Sequence, residues 1–170
     1  MEKFYSKTTG GFYDSEINVN MPADVVSVTD TVYNDLLAAQ ESGNRIKPDA
    51  NGNPVSVPPP PPTPAQQAAA IISGGLHVTS TGTSSLNGTY ATDGNTTAEI
   101  NAEITSILLN GTFTDGTQTI QWPDIAGAPH AFNVAQFKTL ATAISVFVTG
   151  GNQYARGLIG SLPATSATIA

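Results

Sequence analysis

The side chains that most often carry catalysis or bind metal ions are scarce in this chain. It contains two histidines, His77 and His130, and no cysteine. A metal site could combine them with Asp93, Asp115 or Asp124, but none of the short spacings typical of strong metal motifs is present. Without cysteine there are no disulfides, no thiolate ligands and no thiol nucleophile. The sequence therefore predicts no metal site and two unrelated histidines, one of which hydrogen-bonds in a turn.

A pair of carboxylates is the second arrangement that could do chemistry. Glu99 and Glu103 lie one helical turn apart, a spacing that could pair two carboxylates. Thr96 and Glu99, in the sequence TTAE, also match a capping box, in which two side chains satisfy the free backbone groups at a helix start. Negative charge is favourable near that end of a helix. Both glutamates are therefore interpreted as solvent-facing residues of a helix capped at Thr96.

Trp122 and Asp124, in the segment WPDIAG, form the pattern that most suggests a small ligand. An indole face can stack on the apolar face of a sugar, and a carboxylate accepts hydrogen bonds from sugar hydroxyls. The favoured interpretation is that Trp122 anchors a core and Asp124 begins a turn after Pro123. A glycan or partner contact at Trp122 and Asp124 is the alternative.

Other functional classes find little support. No glycine-rich loop leads into a helix as phosphate binding requires, and no serine stands in a nucleophile elbow. The chain has 6 basic and 13 acidic residues, a net charge of −7, and no basic cluster. Nucleic-acid binding and binding to anionic membrane surfaces are therefore not expected. The sequence indicates a protein that is not an enzyme and needs no cofactor.

The chain shows no targeting signal. Its first residues, MEKFYSKTTGGFYD, lack the apolar core of a signal peptide, and no stretch has the length needed to span a bilayer. The surface composition is rich in Thr, Asn, Ser and Gly and poor in charge, which is more typical of virion-like β-rich proteins than of cytoplasmic enzymes. The expected location is the cytoplasm at synthesis.

The elements of the first third form a small module. The segment KFYSKTTGGFYD predicts a β-hairpin, with an aromatic pair on each strand and glycines at the turn. VVSV, from Val25 to Val28, predicts a short strand, and Thr29 or Asp30 then caps a helix that ends before Gly43. The segment RIKPDANGNPVSV predicts a second hairpin around a DANGN turn. Residues 1–57 therefore form an N-terminal module of hairpins and one helix.

Five consecutive prolines, Pro58 to Pro62, follow this module. A polyproline II rod is the conformation they favour, and Pro64 suits the first turn of the next helix. The run contains a PxxP pattern that an SH3-like domain could read, but the basic residues that usually flank such ligands are absent. Residues 58–64 are therefore interpreted as a semi-rigid linker.

Residues 65–170 predict a second module with the element order α-β-β-α-β-β-α. Ile100, Ile104, Ile107 and Leu108 form one apolar stripe on its second helix. Asn133 and Gln136 match a capping box at the start of a third, which is expected to end at Gly150–Gly151, with a frayed helical tail beyond it. The predicted class is α+β, a small hairpin and helix module joined by a polyproline linker to a domain of short antiparallel strands and amphipathic helices.

The order of motifs in residues 1–64 resembles that of phage tail fibre assembly proteins. The motifs are an FYS opening with a following FYD step, an MPAD segment, a TDTVYNDLL helix, a DANGNPV turn and a proline-rich exit. The resemblance covers a little over a third of the chain. It implies a tail fibre assembly chaperone or fibre-tip accessory protein that binds the distal end of a trimeric fibre.

Such a protein would cover the apolar, unpaired tip of a fibre while the fibre folds, because exposed β-edges aggregate. The implied partners are the tail fibre or other phage tail proteins, and the implied location is the host cytoplasm during assembly. Whether one or three copies meet a trimeric fibre stays open. The residues expected to contact the partner are the hairpin aromatics and the tyrosine behind them: Phe4, Tyr5, Phe12, Tyr13 and Tyr33.

Residues 65–170 resemble an uncharacterised domain that recurs behind this kind of module in phage tail proteins. The resemblance rests on the YATD step before a capped helix, on WPDIAG and on the helix NVAQFKTLATAISVFV. Two alternatives to the chaperone therefore stay open. One is a structural virion component that remains on the tail fibre or baseplate, and the other is a module that binds host-surface glycans through Trp122.

Overall fold

A computed structural model describes residues 2–170 of the chain. Over this part it combines four α-helices with short, mostly antiparallel strands, and the predicted α+β class is confirmed. The chain divides into two compact units, one extending to Pro61 and the other covering Pro62–Ala170. The division falls within the proline run.

The first unit contains two small sheets and one helix. Its elements are β1 (Lys3–Ser6), β2 (Phe12–Asp14), β3 (Val25–Val28), α1 (Asp30–Glu41), β4 (Arg45–Pro48) and β5 (Pro54–Val57). The first three strands form an antiparallel sheet in the order β2-β1-β3, and β4 and β5 form a hairpin. The two hairpins, the short valine strand and the helix all lie where their local patterns indicate.

Helix α1 begins and ends on local signals. The Thr29 side chain accepts a hydrogen bond from the backbone N–H of Val32, which satisfies one of the free donors at the helix start. Gly43 follows the C-cap with a φ of +92°, a left-handed conformation that glycine adopts without steric cost. Leu36 is the fully buried residue of the helix and joins Tyr5 and Val28 in the small core of this unit.

Asp24 ties the β1–β2 turn to the start of β3. Its carboxylate accepts hydrogen bonds from the Ser6 hydroxyl at 2.8 Å, the Thr8 backbone N–H at 2.8 Å and the Thr8 hydroxyl at 2.7 Å. These hydrogen bonds, from Thr8 first and then Ser6, lower the pKa of Asp24 to about 2. The carboxylate is therefore a structural cross-link between segments 16 to 18 residues apart, a role that the sequence did not indicate.

The second unit has its own sheet, a hairpin and three helices. Its elements are α2 (Pro64–Gly74), β6 (Leu76–Ser80), a 3-10 turn (Ser84–Leu86), β7 (Gly88–Tyr90), α3 (Gly94–Asn110), β8 (Thr119–Pro123), β9 (Pro129–Asn133), α4 (Val134–Ala155) and β10 (Ser166–Ile169). The sheet order is β10-β6-β7, and β8 pairs with β9. Capping boxes at Thr63 and Asn133 begin α2 and α4.

The core of the second unit is built around an aromatic cluster on α4. Phe137 is fully buried, and the rings of Phe113, Trp122 and Phe132 meet it edge-on at centroid distances of 5.3, 5.1 and 6.1 Å. Such edge-to-face pairs add stability beyond the apolar area that they bury. The buried Tyr90 hydroxyl donates to the carbonyl of Leu86 at 2.7 Å, so this phenol has a partner inside the core.

The end of the chain differs from its prediction. The residues after α4 do not continue as a frayed helix, since Gly157 adopts a φ of +70° and the segment runs on to form β10. β10 pairs with β6 in a parallel orientation, whereas the sequence predicted antiparallel strands only. Ala167 and Ile169 turn inward from it, and that alternation is too short to identify a strand from sequence.

Helix α4 also runs further than predicted, through Gly150 and Gly151 to Ala155. A Cβ placed on Gly151 would lie 3.0 Å from Ile72 Cδ1 on α2, so the glycine lets the two helices approach closely. Near the end of α4, the Tyr154 hydroxyl donates to Gln67 Oε1 at 2.6 Å. Packing against α2 therefore outweighs the helix-breaking tendency of the two glycines.

The start of α3 lies three residues before the predicted capping box. Asp93 is the N-cap, and its carboxylate accepts from the backbone N–H groups of Asn95 and Thr96 at 2.9 and 3.0 Å. Thr96 is therefore inside the helix, and Glu99 does not cap it. The prediction was wrong because aspartate is itself a strong N-cap residue and Gly94 does not prevent the helix from starting. Leu108, expected in the apolar stripe, is 72% exposed.

Candidate functional site

The five aromatic residues expected to bind a partner lie on two different faces of the first sheet. Across β1 and β2, Phe4 pairs with Tyr13 and Tyr5 pairs with Phe12. Directly opposed residues of an antiparallel pair share a face, and successive residues alternate. One face therefore carries Tyr5 and Phe12, and the other carries Phe4 and Tyr13.

The face with Tyr5 and Phe12 packs against α1. The ring of Phe12 lies 5.3 Å from Tyr5 and meets Tyr33 of α1 edge-on at 4.9 Å. Tyr5 is completely buried. Its hydroxyl has no hydrogen-bond partner among the described residues, and burial raises the pKa of this phenol. Tyr5, Phe12 and Tyr33 are thus a packing cluster that holds the helix on the sheet.

An ion pair closes the edge of this cluster. Lys3 Nζ lies 2.8 Å from Asp14 Oδ2, and the same ammonium is 5.2 Å from the centre of the Tyr33 ring. Its hydrogen bond to Asp14 raises the pKa of Lys3, and the hydrogen bonds from Lys3 and from the Glu16 backbone lower the pKa of Asp14. The ammonium of Lys3 and the carboxylate of Asp14 therefore neutralise each other within the first unit.

Phe4 and Tyr13 lie on the opposite face of the sheet, away from the Phe12–Tyr33 contact. Both are half-buried, and they lie beside Ser27 of β3, which is exposed. The Tyr13 hydroxyl donates to Thr9 Oγ1 at 3.0 Å, so the ring is held near the hairpin turn. Of the five aromatic residues, these two could contact a partner without the first unit coming apart.

The most exposed apolar side chains of the first unit were not among the predicted residues. Ile17 is 71% exposed and Val19 is 95% exposed, both in the loop between β2 and β3. The loop is held in place, because the backbone N–H of Asp14 donates to Asn18 Oδ1 at 2.8 Å and that of Ile17 donates to the Asp14 carbonyl. The signal in the sequence is SEINVN, two branched apolar residues among polar ones, outside any predicted element.

Trp122 and Asp124 occupy the places that the favoured interpretation gave them. The indole is 8% exposed and packs on Phe137, so it presents no free face on which a sugar could stack. Asp124 begins the β8–β9 turn, where its carboxylate accepts from the backbone N–H groups of Ala126 and Ala128. These backbone hydrogen bonds, and the nearby His130 ring, lower the pKa of Asp124.

The two histidines serve different contacts. His130 Nδ1 donates to the carbonyl of Ser85 at 2.6 Å, which links β9 to the 3-10 turn, and its Nε2 lies 3.5 Å from Asp124 Oδ2. His77 Nδ1 lies 3.3 Å from the Thr89 hydroxyl on the neighbouring strand. Within residues 2–170, no group of three or more His, Asp or Glu side chains is placed to hold a metal ion.

The two glutamates of α3 also have separate surroundings. Glu103 accepts from the Thr114 hydroxyl at 2.6 Å and from the Thr114 backbone N–H at 2.9 Å, so it fastens the loop after α3 back onto the helix. The prediction of a simple solvent-facing residue was therefore wrong for Glu103. Glu99 is exposed, as expected.

Within residues 2–170, the two histidines and the two glutamates of α3 thus each have separate surroundings. Ile17 and Val19 in the β2–β3 loop, with Phe4 and Tyr13 on the open face of the sheet, form what we call the first-unit surface. None of the helices within residues 2–170 has the length and apolar character needed to cross a membrane. Comparison of the chain with family models, with curated proteins and with solved structures gave no significant match in any of the three.

Proposed function

We propose that the protein is a non-enzymatic phage tail protein, a tail fibre assembly chaperone or fibre-tip accessory protein. The observation that carries the proposal is the ordered set of motifs in residues 1–64, which resembles that family from the FYS opening to the proline-rich exit. Three of the motifs build parts of the first unit: the first hairpin, the capped helix, and the DANGN turn that closes the second hairpin.

The first-unit surface supplies the contacts that such a function needs. Ile17 and Val19 are apolar and largely exposed, and exposed apolar side chains on an ordered loop are suited to cover apolar surface on a partner. The partner would be the distal end of a trimeric fibre, whose unpaired strands and apolar tip aggregate when left uncovered. Binding there needs shape and burial of apolar area, and it requires neither a cofactor nor a chemical step.

β-Edges in the first unit offer a second mode of contact with the same partner. β2 and β3 are the outer strands of the sheet, so each has one edge that no other strand of this sheet covers. An unpaired fibre strand could hydrogen-bond to either edge, as extended segments do in strand addition.

Co-expression with the gene of the candidate partner tail fibre tests the proposal. We expect soluble fibre with the wild-type chain and a loss of most of it with the double variant Ile17→Ser, Val19→Ser. The matched control is Ile125→Ser, Leu158→Ser, which removes two apolar side chains of similar exposure from the second unit. Soluble fibre in the absence of the chain, or equal yields with both double variants, would contradict the proposal.

A structural virion component is the second candidate, and one observation favours it. The second unit exposes three large apolar side chains on α3 and α4, at Leu108, Leu109 and Val146, with exposures of 72%, 78% and 68%. Leu108 and Val146 line the same groove between the two helices, and apolar residues grouped in this way are typical of a lasting contact surface. Mass spectrometry of purified particles separates the two candidates, since a chaperone that leaves after assembly would be present only in assembly extracts.

A further inference from the structure

Strand β10 is an edge strand whose outward backbone groups can be identified from its register. It lies at the end of the sheet order β10-β6-β7 and pairs in parallel with β6, Ser166 opposite His77 and Thr168 opposite Thr79. The backbone N–H of His77 donates to the Thr165 carbonyl and that of Thr81 to the Ile169 carbonyl. In a parallel ladder alternate residues bond to one neighbour, so Ser166 and Thr168 direct their N–H and C=O groups away from β6.

Apart from its length of only four residues, this edge lacks the features that usually protect one. Natural edge strands carry a lysine, a proline, a bulge or an inward charge that prevents pairing with another chain. The residues of β10, Ser-Ala-Thr-Ile, include none of these, and their pairing with β6 runs without a bulge. The free edge is therefore competent to accept another strand.

A groove runs along the same edge, between β10 and α4. Its volume is about 490 Å³, and Thr142, Ala143 and Val146 of α4 form one wall. No charged side chain lines it. Val146 is 68% exposed although it is apolar and lies in the middle of the helix. An occupant of this groove would have to be uncharged, because burying a charge against these walls would leave it unpaired.

We propose that the occupant is a second copy of this chain, whose β10 adds antiparallel to the first across a two-fold axis at Ala167. With that axis, Ser166 of each copy faces Thr168 of the other, and these are the residues whose backbone groups point outward. The pattern of outward N–H and C=O groups along β10 is thus complementary to its own copy, as a two-fold interface requires. Two identical surfaces bring like charges together, and the side chains of β10 and of the groove carry no charge that would repel its copy.

The dimer joins the two β10 strands into one continuous sheet and brings the α4 grooves of the two copies to the same seam. It concerns the second unit alone and does not rest on the proposed function, which is carried by the first. A failure of fibre binding would leave the dimer intact, and a monomeric chain would leave the fibre proposal intact.

Disulfide trapping tests the register directly, since the chain has no cysteine of its own. Ala167→Cys should crosslink to itself under mild oxidation, because residues on the axis form a non-hydrogen-bonded pair with Cα atoms about 4.5 Å apart. Ser166→Cys alone is the matched control: its two copies are diagonal neighbours about 7–8 Å apart, beyond the reach of a disulfide. A mixture of Ser166→Cys and Thr168→Cys should crosslink, since these residues face each other.

The dimer itself is measured by light scattering after size exclusion of the full chain. We expect twice the protomer mass of 17.5 kDa for the wild type. Thr168→Pro removes an outward N–H while leaving the bonds to β6 in place, so it should give a folded monomer, with an unchanged circular dichroism spectrum. Thr168→Val keeps the N–H and should stay dimeric. If Thr168→Pro fails to fold, the crosslinking results of the cysteine variants decide whether the two β10 strands pair.

Two results would overturn the proposal. One is a wild-type chain that is monomeric at every concentration up to about 1 mM, where even a weak dimer forms. The other is crosslinking of Ser166→Cys as efficient as that of Ala167→Cys, which means that the strands do not pair about Ala167. In the first case, a fibre strand found at β10 would mean that the occupant is a different protein.

Discussion

At the scale of single residues, the faces of the first hairpin decide which aromatic side chains are structural. The sequence placed Phe4, Tyr5, Phe12 and Tyr13 in two pairs, but it did not say which pair would face the helix. That choice depends on the register Tyr5–Phe12 and on Tyr33 of α1, a contact between segments about 20 residues apart. The sequence therefore predicted the hairpin, and the packing of α1 decides which pair of aromatic residues faces the helix.

Tyr5 gives the first prediction at this scale. Tyr5→Phe removes a buried hydroxyl that has no partner within residues 2–170, so we expect a free energy of unfolding unchanged or raised by about 1 kcal/mol. Tyr5→Ala leaves a cavity under α1 and should cost about 3–5 kcal/mol. Thermal and urea unfolding of the two variants measure both values. A Tyr5→Phe variant less stable by more than about 1 kcal/mol would show that the hydroxyl has a favourable contact.

Asp24 gives the second prediction at this scale, which concerns how the stability of the fold depends on pH. Its pKa in the folded protein, about 2, lies below the ordinary value of 3.8. The carboxylate therefore stabilises the folded state fully above about pH 4, and this contribution is lost as the pH falls through about 2. Asp24→Asn should be less stable than the wild type at pH 7, and the difference should shrink towards pH 2.

The comparison with Asp24→Asn is needed because Asp14 and Asp49 of the same unit also have lowered pKa values and add their own acid sensitivity. Unfolding curves at pH 7, 4 and 2 for both chains provide the difference. If that difference stays constant over this range, Asp24 does not titrate with folding and the hydrogen-bond account is wrong.

At the scale of elements, local signals predicted most helices and hairpins because their causes are local. Thr29, Thr63 and Asn133 cap helices through bonds to residues three positions away, and the turns follow Gly and Asn. Strand β10 could not be found in this way, because its pairing with β6 joins residues 89 positions apart, such as His77 and Ser166. Strand β10 has only four residues, too few to show a periodic pattern of their own.

Helix α4 shows the opposite case, in which a local signal was present and was outweighed. Gly151 normally ends or weakens a helix, yet here it is the position at which Ile72 of α2 comes closest. Gly151→Val should therefore lower the free energy of unfolding by about 1–3 kcal/mol through overpacking, despite the better helix propensity of valine.

The matched control is Gly94→Ala at the first position of α3, where an added Cβ meets nothing within 4 Å. It should change stability by less than about 0.5 kcal/mol. Combining Gly151→Val with Ile72→Ala should recover part of the loss, since the two residues compete for one space. Simple additivity in that double-mutant cycle would contradict the proposed close contact.

At the scale of the whole molecule, the two units carry separate cores and separate candidate surfaces. The first unit presents Ile17 and Val19 on an ordered loop, and the second presents the free edge of β10 beside Val146. Exposed surfaces of this kind are difficult to read from sequence, since an isolated valine in a loop or on a helix looks the same whether or not a partner covers it. Exposure in the folded unit distinguishes these residues from the core.

The function proposed for the molecule rests on the first unit, and a direct binding measurement tests it. The full chain is mixed with the purified distal fragment of the candidate partner tail fibre, and the mass of any complex is measured after size exclusion. We expect a complex with the wild-type chain, none with Ile17→Ser, Val19→Ser, and an undiminished complex with Ile125→Ser, Leu158→Ser. A wild-type chain that elutes separately from the fibre at concentrations of about 100 μM would contradict the proposed function.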